Sequence, residues 1–168
     1  ADGVLSLPPL QRFDIDLDLP AHRIGLYRGR TCAGTPLPFA APFISVPAHV
    51  THAQPHLMLP VRLDGHALEA MLDTGSSYSM VLSRAAIADA ALRHDRSIAT
   101  SGAGPRRGTA YAHRFGRLAV GSDIIAHPLL AVARLPNFDV DMVLGTDYLT
   151  HRHLFLSFSS GTIFIQSP

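Results

Sequence analysis

The chain holds a single cysteine, Cys32, among 168 residues. An internal disulfide and a thiolate zinc cluster are therefore excluded. In an exported protein Cys32 would be free or joined to another chain. Lysine is absent: all 14 basic residues are arginines, spread along the chain, and 13 acidic residues bring the formal charge to +1. Nothing in that balance argues for a nucleic-acid partner. No apolar run approaches the roughly 18 residues needed to span a membrane. Residues 1–10 lack the basic start and long apolar stretch of a secretory signal, a pattern that a mature or trimmed form shares. A lone cysteine, no lysine and much Pro, Ala and Arg suit an exported protein of a GC-rich bacterium, so a periplasmic or cell-envelope location is expected.

What is present is apolar and finely punctuated. The apolar share is 47%, enough for a sizeable core, and 13 Gly and 13 Pro interrupt short apolar runs, many of them alternating with period two. "HLMLPVRLDGHALEAML" reads as two strands around an Asp64-Gly65 turn. "RLAVGSDIIAHPLLAVARL" reads as further strands, with a turn at Gly121-Ser122. "LFLSFSSGTIFI" reads as a closing hairpin, with Leu154, Leu156 and Phe158 on one face and Ile163 and Ile165 on the partner strand. "LSRAAIADAALRH" looks helical with Ser83 as N-cap, and a second short helix is expected through "TDYLTH" after Gly145. The fold class is mainly β, with one or two short helices.

The two ends of the chain echo each other. "ADGVLSLPPLQRFDIDLDL" from Ala1 pairs without a gap with "VDMVLGTDYLTHRHLFLSF" from Val140, matching Leu5 with Leu144, Leu10 with Leu149, Ile15 with Leu154 and Leu17 with Leu156. "HRIGLY" then resembles "GTIFIQ" after a small length change. Two amphipathic β segments can match by chance. A repeat of one domain length is the sharper reading. It makes residues 1–27 the tail of a preceding homologous lobe, 28–53 a Pro-rich connector or strap, and 54–168 the domain proper.

The stretch "AMLDTGSSYSMVL", Ala70 to Leu82, ends an apolar run on Asp73 and follows it with Thr74, Gly75, Ser76 and Ser77. Gly75 permits φ values and a close approach that a side chain would block. Thr74 and Ser76 bring hydroxyls that can bond within the turn or to the carboxylate. One carboxylate is a poor catalyst of amide hydrolysis, whereas two facing ones share a proton, so that one takes a proton from water while the other donates to the carbonyl.

"MLDTGSS" resembles the catalytic motif of retroviral-type (retropepsin-like) aspartic proteases, and "MVLGTDYL" resembles that family's second signature. The resemblance spans roughly residues 54–166 and implies a retropepsin-like closed β-barrel lobe. It implies that Asp73 is the catalytic carboxylate, that Thr74 braces the two catalytic loops, and that Gly75 lets backbone approach the carboxylates. Ser76 would bond the outer carboxylate oxygen, with Ser77 in support. Val143, Leu144 and Gly145 match the segment that crosses beside the catalytic loop, where a Gly allows close approach. "RSIATSGAGPRRGTAYAHRF" lies where the family carries its flap, with Ser101, Gly102, Ala103, Gly104, Arg106 and Gly108 at the tip over the substrate. Adjacent arginines, here Arg106 and Arg107, are unusual for that flap. No cofactor and no metal are implied.

The chain departs from a complete site in one respect: no second Asp-Thr-Gly or Asp-Ser-Gly occurs in it. The resemblance then calls for a second copy, or a homologous N-terminal lobe, to supply the other aspartate; peptide or protein is the expected substrate. On the repeat reading, Ser6 stands in that lobe where Gly145 stands in this one. The reading from another class is a catalytically inactive domain that keeps the fold for peptide binding or assembly.

Other clusters carry less. His49, His52 and His56 lie close enough to hold zinc, but a Pro-bounded loop does not fix them and no acidic residue or Cys lies among them. Asp14, Asp16 and Asp18 alternate without the Gly and Glu of a calcium loop, so they read as the exposed face of a strand. "GAGPRRG" has the wrong spacing for a phosphate loop. His151 and His153 read as a solvated edge.

Overall fold

The structure is a computed structural model describing residues 6–28, 37–40, 42–82, 97–99, 109–133 and 140–166. The expected helix from Ser83 and the expected flap tip from Ser101 to Gly108 lie outside the described residues.

Fifteen strands and two one-turn helices are found among those residues. In chain order they are α1 (Leu7–Leu10), β1 (Asp14–Asp18), β2 (Arg23–Tyr27), β3 (Ile44–Pro47), β4 (His49–Val50), β5 (Leu57–Leu63), β6 (His66–Leu72), β7 (Met80–Val81) and β8 (Ser97–Ala99). There follow β9 (Thr109–Arg114), β10 (Arg117–Val120), β11 (Asp123–Ala126), β12 (Leu129–Ala133), β13 (Met142–Leu144), α2 (Thr146–Leu149), β14 (His153–Ser157) and β15 (Thr162–Gln166). The fold is mainly β, as the alternating apolar pattern predicts. The chain divides into two compact units, residues 1–59 with 149–168, and residues 60–148.

The first unit is built on an antiparallel sheet in the order β2-β1-β14-β15-β3. Period-two side chains set its register: Ile15 faces Leu156 and Leu17 faces Leu154, and Val46 faces Ile163. These residues, with Ile165, are buried and form one apolar face. Each contributes roughly 1.5–3 kcal/mol on burial. Phe158 does not extend that face, because β14 ends at Ser157.

Two expectations change here. The stretch 28–53 is more than a connector: its residues 44–50 form β3 and β4, and β3 zips along β15 from Ile44 to Pro47. Pro47 terminates this outer strand, a position where a missing N–H is tolerated. The aspartates of β1 are not an exposed face either. Asp14 and Asp16 are only 1% and 2% exposed. Asp14 accepts from Ser159 N at 3.2 Å and Ser159 Oγ at 3.0 Å, while Asp16 bonds His153 Nε2 and has the Arg23 guanidinium 3.8 Å away. Buried carboxylates persist because such partners replace water. His153 is thereby drawn inward rather than left on a solvated edge.

The second unit carries most of a larger, curled half-barrel sheet, in the order β11-β10-β5-β6-β13-β7-β12-β9-β8, with β4 added on β5. Two hairpin turns come straight from local sequence. Asp64 and Gly65 both adopt positive φ, 49° and 86°, as a type I′ turn requires. The Asp64 carboxylate then accepts the backbone N–H groups of Gly116 at 3.2 Å and Arg117 at 2.7 Å. Gly121, at φ 60°, turns β10 into β11. Strands β8 and β9 pair antiparallel, Ala99 opposite Thr109, on either side of the expected flap tip.

The arrangement that matters for function is at the centre of this sheet. β13 runs parallel to β6, with Met142, Val143 and Leu144 opposite Ala70, Met71 and Leu72. It runs antiparallel to β7, Val143 opposite Met80. The ends of β6 and β13 therefore arrive side by side, and each is followed at once by its loop.

Candidate active site

Asp73 is the first residue beyond β6, and its backbone N–H donates to the Leu144 carbonyl at 3.0 Å. That bond continues the β6–β13 ladder one residue past the strand and fixes the start of the loop. The chain then turns: Ser76 N donates to the Asp73 carbonyl at 3.3 Å, and Gly75 N donates to Asp73 Oδ1 at 2.8 Å. The carboxylate is half-buried, and Oδ2 accepts no hydrogen bond among the described residues. Among the described residues, one oxygen is thus tied to the backbone and the other has no hydrogen-bond donor.

Gly75 leaves room for the carboxylate rather than supplying a special backbone angle, because its φ is not positive. A Cβ there would sit 3.1 Å from Asp73 Oδ1. Ser76 also differs from expectation: its hydroxyl donates to the Tyr78 carbonyl at 2.7 Å rather than to the carboxylate. Thr74 and Ser77 are exposed, and their side chains make no hydrogen bond among the described residues. Tyr78 is also exposed, at 61%.

The second signature closes on this loop from behind. Val143 and Leu144 are buried and pair with β6 and β7, as their apolar character predicts. Gly145 meets the loop backbone directly. A Cβ on it would lie 2.7 Å from both C and O of Tyr78 and 2.8 Å from the Ser76 carbonyl oxygen. Thr146 N then donates to the Ser76 carbonyl at 2.8 Å. Only glycine lets the two segments cross at this range.

Two residues outside the sequence-derived set complete the brace. Ser79 is buried, and its hydroxyl accepts from Gly145 N at 3.0 Å while donating to Asp147 Oδ1 at 2.7 Å. Ser79 N also donates to Asp147, at 2.8 Å and 2.9 Å to its two oxygens, and Tyr148 N adds a bond of 2.8 Å. Asp147 thus caps the first turn of α2 and holds the far end of the Asp73 loop, 68 residues back. The available signal was an acidic residue in the first turn of the expected helix, directly after Gly145.

Asp73, Thr74, Gly75, Ser76, Ser77, Val143, Leu144 and Gly145 are accordingly brought together, and Ser101, Gly102, Ala103, Gly104, Arg106 and Gly108 lie outside the described residues. Among the described residues, no group of three or more His, Cys, Asp or Glu is placed to hold a metal ion. None of the described helices is long and apolar enough to cross a membrane.

A carboxylate on a rigid, glycine-crossed loop, within a curled β sheet, defines an aspartic-protease type of lobe. Residues 59–148 match the aspartyl protease family model, and the chain belongs to that family. Among solved structures it is similar to a retropepsin-like aspartic protease from Rickettsia conorii, at 15% identity and a TM-score of 0.50, over 74% of this chain and 89% of that one. A retroviral protease-like domain of Ddi1 from Leishmania major is similar over 56% of this chain and 74% of its own, at 18% identity and a TM-score of 0.42. The fold is retropepsin-like. A comparison with curated protein sequences finds no match.

Proposed function

We propose that the chain is one lobe of an aspartic endopeptidase, with Asp73 as one of two catalytic carboxylates. The other comes from a second subunit or a second lobe, since the sequence offers one Asp-Thr-Gly. The observation that carries the proposal is the Asp73 carboxylate, with Oδ1 tethered to Gly75 N at 2.8 Å and Oδ2 unbonded among the described residues. In the reaction one carboxylate removes a proton from water, and the water oxygen attacks the peptide carbonyl carbon. The other, protonated, carboxyl gives its proton to the carbonyl oxygen. Collapse of the tetrahedral intermediate breaks the C–N bond as the carboxyl that took the water proton passes it to the amine nitrogen, while the other carboxylate takes back a proton from a hydroxyl of the intermediate. No metal or covalent intermediate is used.

Substrate would lie extended under the flap, at Ser101, Gly102, Ala103, Gly104, Arg106 and Gly108, and exchange strand-like hydrogen bonds with it. Thr74 would brace the partner loop, which agrees with its exposure here. The test is cleavage of an unstructured protein by the chain, alone and with its partner lobe, beside Asp73→Asn. The asparagine can still accept the Gly75 N–H, so folding should survive while cleavage is lost. Equal cleavage by both proteins would remove Asp73 from the mechanism. Peptide binding without cleavage by either would favour a binding module.

A further inference from the structure

The two hairpins of the first unit are copies in structure, and their spacing is the same throughout. Helix α1 recurs as α2, β1 as β14 and β2 as β15, each displaced by 139 residues: from 7 to 146, from 14 to 153 and from 23 to 162. No length change separates "HRIGLY" from "GTIFIQ", contrary to the sequence reading, because both turns have the same length. Small features follow the same displacement. Phe13 N donates to the Leu10 carbonyl at 3.0 Å, and Arg152 N donates to the Leu149 carbonyl at 3.1 Å. His22 takes a positive φ of 53°, as Gly161 does at 63°.

The hairpins also meet as equals. Ile15 faces Leu156, Asp16 faces Phe155 and Leu17 faces Leu154. Exchanging each residue for its equivalent 139 positions away leaves this register unchanged. A pseudo-twofold axis therefore passes through the Asp16–Phe155 pair, as in an isologous contact between two homologous bodies.

The symmetry is broken at one place. On one side β3 covers the outer edge of β15, and Ile163 and Ile165 are each 1% exposed. On the other side β2 is the edge of the sheet, and the equivalents Ile24 and Leu26 are 65% and 49% exposed. An apolar edge strand of this kind is a pairing site awaiting its strand.

We propose that the outer edge of β2 is the docking edge for a second protease-like lobe, one whose chain leads into α1 and whose own closing hairpin is β1–β2. That lobe would lay its equivalent of β3 along β2, with a residue equivalent to Val46 opposite Ile24 and one equivalent to Ile44 opposite Leu26. The partner is then a homologous lobe in tandem rather than a second copy of this chain. Ser6 stands in it where Gly145 stands here, so its crossing cannot be as tight. The inference rests on the proposed protease reading only for what the second lobe contributes chemically, not for the edge pairing.

The test is a tandem protein in which a second copy of residues 28–139 precedes the full chain at Ala1, which reproduces the repeat spacing without a linker, with Ser6→Gly and Pro8→Asp so that its first lobe keeps the glycine crossing and the acidic brace of Gly145 and Asp147. The expected product is a monomer that cleaves an unstructured protein at a rate per molecule independent of dilution. Its outward β2 amides should exchange about tenfold or more slowly than in the single chain. The single chain should be monomeric and inactive. A single chain that dimerises, and whose cleavage per molecule rises with concentration, overturns the inference and leaves the protease reading standing. Protected β2 amides without cleavage uphold the docking edge and sink the protease reading. Unprotected β2 amides in the folded tandem overturn the docking edge. Should the tandem not fold, a peptide of residues 42–50 added to the single chain decides: protection of the outward β2 amides upholds the inference, and its absence overturns it.

Discussion

Replacing Gly145 by alanine drives a methyl carbon to 2.7 Å from the Tyr78 carbonyl carbon and oxygen and to 2.8 Å from the Ser76 carbonyl oxygen. All three are backbone atoms, so no side chain can rotate away. Ordinary contact lies at about 3.5 Å, and the two segments must part by roughly 0.8 Å. The bond from Thr146 N to the Ser76 carbonyl, now 2.8 Å, would stretch past hydrogen-bonding range. Overpacking costs about 1–3 kcal/mol. One or two broken hydrogen bonds add about 1 kcal/mol each. The sum is about 2–5 kcal/mol, which for a chain of this size lowers Tm by roughly 4–20 °C. Thermal unfolding followed by circular dichroism reads this directly. A loss under about 1 kcal/mol would refute the claim that the crossing has no slack. Cleavage should fall further than stability predicts, because Asp73 N is tied to Leu144, the residue next to Gly145.

Gly75→Ala presents the opposite balance: its Cβ meets only the Asp73 carboxylate oxygen at 3.1 Å, which can turn aside. Stability should change by less than about 1 kcal/mol while cleavage drops by about 10-fold, since the carboxylate must give by a few tenths of an ångström and a full ångström costs about 100-fold; paired melting and kinetic assays check it. Asp147→Ala leaves the buried Ser79 donors without their acceptor and should cost about 2–4 kcal/mol, whereas Asp147→Asn should cost less than half of that. Chemical denaturation of both variants decides; equal losses would show that charge rather than acceptor geometry matters. His22→Gly relieves a left-handed backbone at φ 53° and should leave stability unchanged or raised by up to about 1 kcal/mol. A clear fall in Tm would mean that the imidazole is needed at the turn.

Much of the site was legible because its determinants are local. Asp64-Gly65 specifies its own turn, and Asp-Thr-Gly-Ser closes its own loop through Gly75 N and Ser76 N. Gly145 was legible as a close-approach residue before its neighbours were known. The Asp147–Ser79 brace was not, because its partners are 68 residues apart and nothing near either one announces the other. Asp14 and Asp16 were misread for a related reason. Alternating carboxylates look solvated until His153, Ser159 and Arg23 arrive from elsewhere in the chain. Strands β3 and β4 hid in a Pro-rich stretch, since edge strands need few β-formers once a neighbour supplies the ladder.

By itself, the sequence determined the mainly β class, the turn positions, the aspartate loop and the repeated hairpin. Each depends on residues close together in the chain, or on a pattern that recurs along it. The tertiary structure decided what those pieces meet. It set Gly145 against the backbone of Tyr78, gave Asp147 its bond to Ser79, and buried the aspartates of β1. It also showed that the two hairpins share one register with an uncovered edge at β2. Such facts depend on contacts between residues far apart in the chain, and a linear pattern carries no distance between them.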